Sequence, residues 1–144
     1  MNLGKLFRMK YLLDTNVLIS LFKNKYGIRE AILVAGRKQC AISTLTIGEL
    51  LVGAYKGKDA RQKNEVEKTR ELFPTIPVNE AVINVYAKTR ASLELQGIRL
   101  DDLDLLIAST ALYHNLTVVT HNIKHFDRIP GLRIEDWENC QTGL

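Results

Sequence analysis

Cysteine is scarce in this chain: two residues, Cys40 and Cys140, far apart and in no CxxC pair. That spacing excludes a disulfide framework and a redox dithiol motif, and both are read as reduced thiols of a cytoplasmic protein. His114, His121 and His125 have no cysteine at ligand spacing, which argues against a zinc site. Long apolar runs are missing too. Tyr11 to Leu13 and Leu105 to Ala108 fall far short of a membrane span, so no membrane association is expected. The opening MNLGKLFRMKYLL lacks a small-residue cleavage site and is not read as a secretory signal. Residues 1–8 are expected to be an extension ahead of a domain over residues 9–137, with 138–144 as a tail. There is no Walker loop, no Gly-x-Gly-x-x-Gly fingerprint and no serine or cysteine nucleophile elbow.

What the chain does contain suits one soluble domain. Of 144 residues, 46% are hydrophobic and 25% charged, enough apolar surface for a single core. A net charge of +4 and a pI near 9.1 are compatible with a polyanionic partner without requiring one.

Short apolar runs alternate with helical segments. Strands are expected at Lys10 to Leu13, Cys40 to Ile42, Thr75 to Val78 (an edge, given Pro77), Thr117 to Val119 and Leu132 to Ile134. Helices are expected from Val17 to Phe22, Ile28 to Ala35, Ser43 to about Tyr55 and Asn79 to Gln96, the last closed by Gly97. Lys56 to Leu72 reads as a solvated charged helix. Leu103, Leu106, Ile107, Thr110, Ala111 and His114 step along one helix face. The pattern predicts an α/β domain whose mainly parallel sheet is covered on both faces. Right-handed crossovers then gather sites at the C-terminal edge of the strands.

Asp14 ends the first strand. Glu49 and Asp104 lie in the first turns of helices that start at the same edge, and Thr120 and Asn122 leave the fourth strand there. Each acid has a plain alternative as a helix cap: Asp14 directly, and Thr46 to Glu49 and Asp101 to Asp104 as capping boxes. Together they make a repelling cluster that a cation would neutralise, and an all-oxygen set suits Mg²⁺ or Mn²⁺. Such a site fits phosphodiester hydrolysis by metal-activated water, with Asp14 as the central ligand.

The stretches that carry these acids match a known pattern. Tyr11-Leu12-Leu13-Asp14-Thr15-Asn16-Val17-Leu18-Ile19 resembles the opening motif of PIN domains, and Thr44-Leu45-Thr46-Ile47-Gly48-Glu49-Leu50 the second. Leu103 to Ala108 resembles the third, and Val118-Val119-Thr120-His121-Asn122 with Phe126 the fourth. Ile129 to Trp137 is similar to the ending of VapC toxins. The resemblance implies a flavodoxin-like three-layer sandwich of four or five strands and Mg²⁺-dependent endoribonuclease activity on RNA, tRNA among the substrates. It also implies a homodimer and inhibition by a VapB-type antitoxin. The metal ligands it implies are Asp14, Glu49 and Asp104, with Asn122 as a weak neutral ligand where many members carry an acid there or at the place of His125. Thr15, Asn16 and Thr120 are expected to orient the carboxylates through hydrogen bonds. His121 and His125 are expected at the surface or on RNA rather than on metal.

Two other readings stand beside this one. A catalytically silent PIN-like module binding RNA or protein would have no use for the acidic cluster. An aspartyl-phosphate phosphatase would want a second Asp where Asn16 stands.

Overall fold

A computed structural model describes residues 9–138; the expected extension at 1–8 and Cys140 lie outside them. Five strands form one parallel sheet in the order β3-β2-β1-β4-β5. They are β1 (Tyr11–Leu13), β2 (Cys40–Ser43), β3 (Thr75–Ile76), β4 (Thr117–Val119) and β5 (Ile134–Glu135). Helices α1 (Thr15–Phe22), α2 (Ile28–Ala35), α3 (Thr44–Lys56) and α4 (Ala60–Leu72) precede β3. Helices α5 (Glu80–Leu95) and α6 (Asp102–His114) lie between β3 and β4.

Successive strand residues serve opposite faces, as the pleat requires. Leu12, Ala41 and Val118 join the core that holds Leu93 of α5 and Leu105, Ile107, Ala108 and Ala111 of α6. Leu13, Cys40, Ile42 and Val119 join the other, with Val17 and Leu18 of α1, Ile28 and Ile32 of α2, Ala54 of α3 and Val66 of α4. The domain is therefore a three-layer sandwich. Burial on both faces leaves the strands no polar side, which accounts for their uninterrupted apolar runs.

Several expected elements need correction. The charged segment is not one helix from Lys56. The chain breaks at Gly57, Asp59 caps α4 through its carboxylate to the Arg61 N–H at 2.9 Å, and Val66 and Thr69 are buried. The expected stripe on α6 is also displaced. Leu103 is exposed, while Leu105 and Ile107 to Ala111 are all buried, because α6 is enclosed by the sheet, by α5 and by Phe126 and Ile129. A helix enclosed on several sides shows no clean 3.6-residue alternation. Strand β3 stops before Pro77, which cannot donate to the ladder, and β5 starts two residues later and ends one residue later than expected.

The order 3-2-1-4-5 reverses its direction of growth between β1 and β4. The crevice outside their C-terminal ends is the topological switch point, where open parallel sheets bind ligands.

Candidate active site

Asp14 occupies that crevice. Its backbone N–H donates to Val119 O at 2.9 Å, tying the end of β1 to the end of β4. Its side chain is only 5% exposed. Oδ1 accepts from the Thr15 N–H at 2.9 Å, so Asp14 does cap α1. Oδ2 accepts from the Thr120 hydroxyl at 2.9 Å and, at 3.4 Å, from Asn16 Nδ2. The Thr120 hydroxyl in turn accepts from the Asn122 N–H at 3.0 Å, which aims its proton at Asp14. Cap and site are thus two uses of one carboxylate.

Of the capping-box alternatives for the other two acids, the one at Thr46 to Glu49 does not form, and the one at Asp101 to Asp104 forms only in its first half. Ser43 caps α3 through the Leu45 N–H, leaving Thr46 inside the helix and Glu49 free to reach across to α1. There Glu49 Oε1 accepts from the Thr15 hydroxyl at 2.8 Å. Asp101 caps α6, accepting from the Leu103 and Asp104 N–H groups at 3.0 and 3.2 Å. The Asp104 carboxylate is turned instead toward His125, with Oδ2 3.2 Å from Nδ1. Thr15 and Thr120 each donate a hydroxyl hydrogen bond to one carboxylate.

The electrostatics show the strain of this gathering. Burial pushes Asp104 up to about 6, helped by repulsion from Asp14, Asp101 and Glu49 and opposed by His125. Burial also raises Asp14 against the Thr120 and Thr15 hydrogen bonds, and raises Glu49 against its Thr15 bond, with Asp14 and Asp101 adding to the rise. Among the described residues no lysine or arginine pairs with Asp14, Glu49 or Asp104. A set of oxygen donors carrying uncompensated charge suits a hard divalent cation. Among the described residues, the three acids do not form a group whose ligand atoms all lie within 4.8 Å, whereas His121, Asp136 and Glu138 do. The case for the acids rests on the chemistry of the donor set, since a small hard cation retains several waters and takes few protein oxygens. The residues fit such an ion.

Comparison with known proteins decides the family. The PIN domain model matches residues 11–132, most of the chain. The chain belongs to the PIN-domain family. Ribonuclease VapC2 of Rickettsia felis is 34% identical over 134 residues, covering 90% of this chain and 99% of that protein. The tRNA(fMet)-specific endonuclease VapC of Salmonella typhimurium is 36% identical over 131 residues, covering 90% and 98%. A crystal structure of VapBC2 from Rickettsia felis, bound to a promoter DNA fragment, superposes with a TM-score of 0.82 at 32% identity, over 90% of this chain and 99% of that one. This PIN domain is therefore of the VapC type.

Some details of the PIN site differ from expectation. Asn122 is exposed, and its backbone N–H donates to the Thr120 hydroxyl. His121 is half-buried: its side chain is 13% exposed, with Nε2 3.1 Å from Ser20 Oγ and Nδ1 3.4 and 3.5 Å from Asp136 and Glu138. Its backbone N–H donates to Asn16 Oδ1 at 3.3 Å. Asp101, whose charge bears on both Glu49 and Asp104, was not singled out from sequence beyond its cap. Its position three residues before Asp104, on the same first turn, is the signal that could have found it.

Proposed function

We propose that this chain is a magnesium-dependent endoribonuclease, the toxin of a toxin–antitoxin pair, acting in the cytoplasm. The observation that carries the reading is the acidic rim at the switch point: burial raises the proton affinity of Asp14, Glu49 and Asp104, the charges of Asp14 and Asp101 raise Glu49 and Asp104 further, and among the described residues none of the three has a lysine or arginine partner. These three would hold the cation, with Asp14 central, Asn122 adding at most a neutral carbonyl, and Mn²⁺ a plausible substitute for Mg²⁺. A bound divalent cation supplies charge stabilisation on phosphate oxygens and a more acidic water. The protein's own part is to keep the carboxylates ionised and aimed: Thr120 and Asn16 hold Asp14, and Thr15 holds Glu49.

The names of the relatives support RNA as substrate, and two of them specify tRNA(fMet), so transfer RNA is the substrate to test first. Structural neighbours that are VapBC complexes support a VapB-type antitoxin as partner, and we expect a homodimer. An inhibitor's arginine placed on this rim would replace the cation's charge with hydrogen bonds of its own.

The test is cleavage of tRNA by wild type and Asp14→Asn, in Mg²⁺ and in EDTA. Cleavage by wild type in Mg²⁺ alone is expected. A silent binding module would bind RNA equally under both conditions and cut it under neither. Expression of wild type should slow host growth, and co-expression of the neighbouring antitoxin gene should restore it.

A further inference from the structure

Beside Asp104 lies a cavity of about 500 Å³, between the loop leading into α6 and the turn after β4. Asp101 and Asp104 belong to the acidic rim; the same cavity is also lined by Arg99, Lys124 and Arg128. We propose that this cavity seats the RNA nucleotide next to the scissile phosphodiester and holds it by its phosphates. This rests on the nuclease reading above and adds to it a site for the strand.

Three observations carry it. The first is that these cations are uncommitted. Among the described residues Arg99, Lys124 and Arg128 make no ion pair or side-chain hydrogen bond, and all three are exposed. The cations of α4, the other basic segment, are largely engaged. Arg61 is paired with Asp59 and Glu65, Arg70 with Glu67, and Lys63 lies over the Tyr55 ring. The second is how the charges are divided. Asp101 and Asp104 lie on the side of the cavity that belongs to the acidic rim, where the cation would offset them, and Asp127 is the one other acid in the lining beside the three cations. The third is continuity. Asp104 borders the cavity and belongs to the acidic rim, so a strand with one phosphate at the rim can place its neighbour among the cations.

The volume falls within the range of about 300–1,000 Å³ typical of small-molecule sites, room enough for a nucleotide. The lining has no Phe, Tyr or Trp; its one aromatic ring, His125, lies 3.2 Å from Asp104, and Leu100 is its one apolar residue. Recognition here therefore works on phosphate oxygens, which position a strand without reading its sequence. Arginine forks match that geometry.

The test is binding of a labelled single-stranded decaribonucleotide of mixed sequence, in EDTA so that no cleavage intervenes, over a range of KCl concentrations. Each phosphate contact removed should lower the slope of log affinity against log salt by about 0.7. Arg99→Gln/Arg128→Gln should thus lower the slope by about 1.4. In Mg²⁺ it should raise KM for cleavage and leave kcat near wild type, the signature of lost uniform binding. Lys63→Gln/Lys68→Gln removes the same charge from α4 and should leave the slope unchanged. An equal effect of the two pairs, or no effect of the first, overturns the proposal even where cleavage persists. So does tighter binding of a glutamate decapeptide than of RNA, which would assign the cavity to a protein partner. Binding with the expected slopes but no cleavage in Mg²⁺ would leave the cavity's role standing and remove the nuclease reading instead.

Discussion

Replacing Asp104 by asparagine removes one charge from the acidic rim and leaves the helix beneath it intact. The α6 cap is made by the Asp101 side chain and uses only the backbone N–H of Asp104. In the metal-free protein Asp104 is held near 6 rather than at its ordinary 3.8, chiefly by burial and then by the charges of Asp14 and Asp101. A carboxyl raised in this way keeps its proton in the folded chain after the unfolded chain has released it. Stability therefore falls as pH rises from about 4 to about 6, and stays lowered above that window. The shift corresponds to about 3 kcal/mol if taken whole. The side chain is 22% exposed on an open rim, and solvent screening reduces the figure to about 1–2 kcal/mol.

Urea denaturation in EDTA at pH 4 and pH 7.5 measures this directly. Trp137, the one tryptophan and 4% exposed, supplies the fluorescence signal. Relative to wild type, Asp104→Asn should gain about 1–2 kcal/mol between the two pH values. Saturating Mg²⁺ at pH 7.5, about 100 times its dissociation constant, should then stabilise wild type by about 2.7 kcal/mol and the variant by clearly less. Cleavage of RNA should drop about 100-fold or more, equivalent to about 2.7 kcal/mol of barrier. Parallel stability curves for the two proteins, together with equal stabilisation by Mg²⁺, would refute the claim that Asp104 is a repelled member of a cation site.

Thr15→Val deletes the 2.8 Å bond to Glu49, should cost about 1 kcal/mol by thermal denaturation, and should move the acid limb of the cleavage pH profile upward, because Glu49 loses the bond that favours its ionised form. Asn122→Ala should change stability by less than about 0.5 kcal/mol and activity less than tenfold, since only the backbone of Asn122 is engaged in the site. A loss matching that of Asp104→Asn would instead make its carbonyl a ligand. Burial pushes the Cys40 thiol up to about 12, so in a Cys140→Ser background the native protein should not react with a thiol reagent until denatured.

Most of what places the site was legible in the sequence because it depends on local pattern and handedness. Apolar runs as short as Tyr11 to Leu13 and Thr117 to Val119 are strands buried on both faces. Once they alternate with helices, right-handed crossovers put every strand's C-terminal end on one rim. Asp14, Thr120 and the first turns of α3 and α6 follow from that. The partners of those residues were less legible. Thr15 was expected to orient a carboxylate, but not which one, because its partner Glu49 lies 34 residues away and comes from another helix. His121 looked like a rim residue; the Ser20, Asp136 and Glu138 side chains that enclose it come from α1 and from the chain after β5.

The capping alternatives divided for a physical reason of the same kind. A capping box needs its first residue at the helix boundary, which Asp101 occupies and Thr46 does not, because Ser43, placed by the strand before it, already caps α3. Spacing alone could not choose between Ser43 and Thr46 as the cap of α3. The choice matters, because a Glu49 folded back onto its own helix N-terminus could not also meet Thr15. The cap residues therefore do more than end the helices. By satisfying the free N–H groups themselves, Ser43 and Asp101 leave Glu49 and Asp104 turned toward the crevice and, among the described residues, without a cationic partner from lysine or arginine.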